Sequence, residues 1–155
     1  MDISVVGAGH VGLVSGACFA DLGNRVVMVD NDAKRIANLK RGILPYYEPG
    51  LEELVARGVR QRRLSYTTSL KEGVAKSTII FIAVGTPQKE GGAADLSYVE
   101  AVARSIAGCM TSYRLVVEKS TVPVQTGGHI GRTIKTCLRR KIAFDVASNP
   151  EFLRE

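Results

Sequence analysis

Six short apolar runs alternating with helix-type segments predict an α/β protein: one doubly wound parallel six-stranded sheet in a single domain. Two observations carry that prediction. The chain opens with the run Asp2-Ile3-Ser4-Val5-Val6, which enters Gly7-Ala8-Gly9-His10-Val11-Gly12, a G-x-G-x-x-G pattern followed by small residues. The run TIIFIAV, residues 78–84, is apolar without alternation, as befits a central strand covered on both faces. Together they indicate a Rossmann-type sheet with strand order 3-2-1-4-5-6.

Taken in order, residues 2–6 form the first strand and 13–22 a helix, in which Cys18 suits a packed position. Residues 25–29 form the second strand, which ends on Asp30. Asp32 caps a helix to about residue 40, and Gly42 ends it. Residues 43–49 form a loop with two prolines and the pair Tyr46 and Tyr47, read as packing residues. A short helix follows from Gly50, then a third strand at 64–68 and one or two helical turns at 69–75. The fourth strand, 78–84, stops at the turn Gly85-Thr86-Pro87. Residues 88–95 are a polar, glycine-rich loop. Asp95 caps a helix over 96–110, with Val99, Val102, Ala103 and Ile106 at helical spacing. The fifth strand is 115–119, the next helix 123–138, the sixth strand 142–147, and SNPEFLRE closes the sequence.

The first thirty residues carry the clearest chemistry. Gly7 permits the tight turn out of the strand, Gly9 admits a close-lying pyrophosphate, and Gly12 lets the helix approach the sheet. Unpaired N–H groups at the helix start favour phosphate. Asp30, about 20 residues on at the end of the next strand, can accept hydrogen bonds from the adenine ribose. Its charge opposes a 2′-phosphate, so NAD is expected rather than NADP, although Arg35 follows shortly.

Composition excludes several classes. No apolar run approaches a membrane span, and no signal peptide fits before the first strand, so a cytoplasmic protein is expected. Three cysteines without C-x-x-C spacing indicate neither a disulfide framework nor a metal site. Net charge is +6, with basic clusters at 57–63 and 139–141. No aromatic residues interleave with them as a nucleic-acid platform requires, so they read as helix-end charge.

The segments that follow the strands, read together, resemble the UDP-glucose/GDP-mannose dehydrogenase family. The resemblance rests on GAGHVGLVSGACFADLG, YYEPGLEEL, FIAVGTP, ADLSYV, KSTVP and SNPEFLRE, in the family's order over nearly the whole chain. YEPGLEEL and ADLSYV are more similar to the UDP-glucose branch than to the GDP-mannose branch. The resemblance implies oxidation of the C6 alcohol of a nucleotide sugar to a carboxylate in two NAD-dependent steps. It also implies an N-terminal NAD domain, a connecting helix, and a C-terminal sugar-nucleotide domain that supplies a cysteine and a lysine. Residues 1–155 match the NAD domain alone. The chain is therefore expected to be the cofactor-binding part of a larger homo-oligomeric enzyme and to bind NAD without turning over UDP-glucose.

By the same resemblance, Gly7, Gly9, His10, Val11 and Gly12 hold the pyrophosphate, and Asp30 and Arg35 hold the adenosine ribose. Val84, Gly85, Thr86 and Pro87 line the cofactor, and Ser120 and Thr121 approach the nicotinamide, with Thr121 positioning a catalytic water. Glu151, Phe152, Leu153, Arg154 and Glu155 wall the sugar site, with Glu151 as acid/base and Glu155 near the nicotinamide. Thr121 reads equally as a hydroxyl cap starting a helix, and Glu151 and Glu155, spaced i,i+4, as a solvated face. The family usually has Tyr at the position of His10 and Gly at that of Gln125. A helix start disfavours a cation, so a neutral His10 is expected. Alternative readings are a GDP-mannose or other nucleotide-sugar dehydrogenase, or a stand-alone NAD-binding regulatory module, which needs no nucleophile.

Overall fold

The computed structural model describes residues 1–92, 94–123 and 125–150. The elements run β1 (Asp2–Val6), α1 (His10–Asp21), β2 (Arg25–Val29), α2 (Ala33–Lys40), α3 (Leu51–Arg60) and β3 (Leu64–Thr67). They continue with α4 (Leu70–Lys76), β4 (Ile79–Ile82), α5 (Ser97–Cys109), β5 (Arg114–Glu118), α6 (Thr126–Cys137) and β6 (Phe144–Ser148). All the strands pair in parallel, in the order β3-β2-β1-β4-β5-β6, as the sequence predicts.

Side-chain alternation divides the core between the two faces of the sheet. Val5, Val26 and Met28 face Leu13 and Ala17 of α1, Ile36 and Leu39 of α2, and Leu51 and Val55 of α3. Ile80, Ile82 and Val116 face Val74 of α4, Val99 and Ile106 of α5, and Ile130 and Ile134 of α6. Both layers are mainly aliphatic, so the sheet is covered on both sides, and its central strand β4, Ile79–Ile82, reads as an unbroken apolar run.

Several boundaries differ from the sequence reading. Helix α1 starts at His10 rather than 13, because Gly9 already has N-cap geometry and its carbonyl accepts the Leu13 N–H at 2.9 Å. Helix α6 starts at Thr126 rather than 123, and β6 is shifted to 144–148. The cap of α5 is Leu96, although the Asp95 carboxylate accepts the Ser97 N–H at 3.0 Å. Cys18 is exposed, since α1 buries its Gly12, Leu13, Gly16, Ala17 and Ala20 face instead. Tyr47 is 89% exposed, whereas Tyr46, one residue away and turned inward, packs against the core. No described helix is long and apolar enough to cross a membrane.

Candidate functional site

The parallel sheet delivers the ends of β1, β2, β4 and β5 to one rim, where a cleft of about 620 Å³ opens. Gly7, Gly9, Asp30, Arg35, Val84, Gly85 and Pro87, all singled out from sequence, line it. Thr68, Leu70, Tyr98, Val102 and Ser105 line it as well, and sequence reasoning missed them as site residues. Their signal was faint: they come from the short segment after β3 and from one face of α5, where helical spacing marks packing only.

The phosphate-type loop is shaped by crowding on one side and openness on the other. Gly7 has φ +105°, and a Cβ there would run into the Ala83 backbone. A Cβ on Gly12 would run into the Gly7 carbonyl. At Gly9 a Cβ would meet nothing within 4 Å. The open side of the loop thus lies at Gly9, which lines the cleft and caps α1 with no side-chain cap bond.

Asp30, at the end of β2, is a buried carboxylate, 6% exposed. It accepts from the Ala8 N–H at 2.8 Å, the Asp32 N–H at 2.9 Å and Arg35 Nη1 at 2.8 Å. The first of these ties the end of β2 to the loop after β1, so the acid and the glycine turn form one unit. The Arg35 guanidinium, 3.9 Å from Asp32 as well, has its pKa raised mainly by its bond to Asp30.

His10, Val11 and Gly12 form the first residues of α1 and do not line the cleft. The His10 ring stacks on Tyr46, with centroids 4.4 Å apart, and its Nε2 lies 3.0 Å from Glu48 Oε2.

The turns after β4 and β5 are stitched together. Ser120, 6% exposed, donates to the Val84 carbonyl at 2.8 Å, and Thr86 donates to the Thr121 carbonyl at 3.0 Å. Thr121 is exposed, and the N-cap of α6 is Gln125, so Thr121 does not cap that helix. The five residues Glu151, Phe152, Leu153, Arg154 and Glu155 lie outside the described residues. No group of three or more His, Cys, Asp or Glu placed to hold a metal occurs among the described residues.

Sequence reasoning also missed Glu118. It ends β5 opposite Ile82 and Ser148, is fully buried, and neither carboxylate oxygen has a partner in hydrogen-bond geometry among the described residues. Burial pushes its pKa up to about 7, against smaller opposing effects of the Ser120 N–H and the Lys119 charge.

Comparison with known proteins agrees with this geometry. Residues 1–155 match the model of the UDP-glucose/GDP-mannose dehydrogenase family, NAD binding domain. A UDP-glucose 6-dehydrogenase of Rhizobium meliloti is 53% identical over 156 residues, covering 100% of this chain and 36% of that protein. UDP-glucose 6-dehydrogenase TuaD of Bacillus subtilis is 48% identical over 153 residues, covering 99% of this chain and 33% of that protein. Among solved structures, a UDP-glucose dehydrogenase from Pyrobaculum islandicum superposes with a TM-score of 0.93 at 44% identity, covering 100% of this chain and 37% of that one. A GDP-mannose dehydrogenase ternary complex from Pseudomonas aeruginosa gives 0.93 at 40% identity, with the same coverage. The chain thus spans about a third of the length of these relatives. With its dinucleotide-type cleft and a family match over its whole length, the chain belongs to the UDP-glucose/GDP-mannose dehydrogenase family and corresponds to that family's NAD-binding domain.

Proposed function

We propose that this chain is the NAD-binding part of a UDP-glucose 6-dehydrogenase, which oxidises UDP-glucose to UDP-glucuronate with two NAD. The observation that carries the proposal is the joining of the glycine turn to Asp30 at the mouth of the cleft, through the Ala8 N–H bond of 2.8 Å. The relatives named UDP-glucose 6-dehydrogenases, at 46–53% identity, support the choice of sugar nucleotide.

The residues present fit a dinucleotide. The open side at Gly9 is where a pyrophosphate comes close to backbone, and the α1 N-terminus favours its charge. Asp30 faces the cleft as a ribose acceptor. Arg35 is engaged by Asp30 and Asp32, so its charge is already opposed, which supports NAD over NADP. Leu70, Val102 and Tyr98 offer an apolar wall for the adenine. When bound, NAD supplies the hydride acceptor. Thr121, held by the Thr86 bond to its carbonyl, is the candidate to orient water on the nicotinamide side. Glu151 is the candidate acid/base, with Phe152, Leu153, Arg154 and Glu155 beside the sugar, as the family resemblance implies. The remaining chemistry belongs to the part of the relatives beyond this chain, and a cytoplasmic location is part of the same reading.

Calorimetric titration of the chain with NAD and NADP tests this. NAD should bind at least about tenfold tighter than NADP. Equal affinities, or a preference for NADP, would contradict the role of Asp30. The chain alone should give no steady NADH formation with UDP-glucose.

A further inference from the structure

The loop 43–49 crosses the start of α1 and is fastened there by two side chains. Gly42 and Gly50, both at φ +77°, bracket it. Leu44 and Tyr46 pack inward against the core while Tyr47 between them and Glu48 points out. The Tyr46 hydroxyl is shared between the Gly9 carbonyl at 3.3 Å and the His10 carbonyl at 3.1 Å. Burial, with the Glu48 charge adding, pushes this phenol up to about 12, so it remains a donor at any working pH. Its ring supports the His10 imidazole face to face, at 4.4 Å and 26° between planes. Glu48 then meets His10 Nε2 at 3.0 Å. The ring is thus held between the Tyr46 face and the Glu48 carboxylate, with its Nε2 edge turned to Glu48.

Resting on the NAD reading above, we propose that Tyr46 and Glu48 are positioning residues for the pyrophosphate, acting through the Gly9–His10 turn that they clamp. Tyr46 fixes the two carbonyls of the turn, and with them the direction of the N–H groups that follow at the α1 N-terminus. Glu48 fixes which way His10, the first residue of that helix, presents its ring. Helix α1 has no side-chain cap and no acid in its first turn, so nothing in its own sequence performs this task. The groups come from a loop 36 to 38 residues further along the chain.

NMR-monitored titrations with NAD and with adenosine test the proposal. Adenosine keeps the base and ribose but carries no phosphate. Tyr46→Phe and Glu48→Gln should each weaken NAD binding about fivefold while leaving adenosine within about twofold of the unaltered chain. Both variants keep the loop's apolar contacts, so melting temperatures should move little. Unchanged NAD affinity in both variants would overturn the proposal, as would equal losses for NAD and adenosine. Failure of the unaltered chain to bind NAD would instead count against the cofactor reading itself.

Discussion

Two buried carboxylates stand on the same rim of the sheet and differ in every respect that matters. Asp30, after β2, receives donors from Ala8, Asp32 and Arg35. Glu118, ending β5, has no donor in hydrogen-bond geometry among the described residues, only a weak pull from the Ser120 N–H, and is more deeply buried. A buried carboxylate with three donors is a finished acceptor that keeps its place before any ligand arrives. One without partners holds its proton far above the ordinary carboxylate range. The contrast extends to the two halves of the sheet. The β1–β3 half has its rim tied by local bonds and by the Tyr46–Glu48 clamp. The far half has its β4 and β5 turns bonded to each other, but ends in the edge strand β6, whose residues are half-buried or exposed. Under the proposed function, the first half would hold the adenine side of the cofactor and the far half would face the nicotinamide side.

The strongest way to break the comparison is Asp30→Ala. Arg35 and two backbone N–H groups would lose their acceptor, which should cost on the order of 3 kcal/mol in denaturant unfolding and abolish measurable NAD binding. A variant that binds NAD normally would remove Asp30 from the site.

Glu118→Gln should act in the opposite direction. The folded value of Glu118 lies above its unfolded one, so the folded chain keeps a proton that the unfolded chain releases. That contribution is complete below the ordinary glutamate range and is lost as pH rises through about 7. Above that pH the glutamine variant should be more stable than the unaltered chain by a few kcal/mol, and its stability should lose this pH dependence. Equal melting curves for both proteins at pH 5 and pH 8 would show that Glu118 finds a partner in solution.

Gly9→Ala sharpens the picture of the binding half. A Cβ there meets nothing, so the fold should be unaffected, while NAD affinity falls about tenfold because the methyl group enters the open side of the turn. Gly12→Ala, whose Cβ would strike the Gly7 carbonyl, should destabilise the fold instead. Arg25→Ala should do least. Its pair with Asp2 at 2.6 Å is exposed to solvent at the opposite end of the strands, and no measurable change in melting temperature is expected.

The fold was legible because each strand is a short apolar run and the punctuation between runs is strong. Gly7 to Gly12 followed by Asp30 marked the segments that meet at this rim, while the Ala8–Asp30 bond that joins them emerges only from the fold. Helix ends were less legible. Gly9 and Gly12 disguise the first turn of α1, and the α6 segment TGGHIG is glycine-rich where its helix begins. Glu118 was hidden because EKS reads as a polar strand end, and only the register with Ile82 and Ser148 reveals a residue under cover. The clamp was hidden for another reason: Tyr46 and Glu48 are far from His10 in sequence, and no local period links them.

The most direct test compares the chain's affinity for NAD with that for ADP-ribose, which lacks the nicotinamide, by calorimetry. If the adenine half is complete in this chain, ADP-ribose should bind within about threefold of NAD. An ADP-ribose affinity weaker than that of NAD by about tenfold or more would mean that the β4–β6 side carries the binding, and the contrast between the two halves would be wrong.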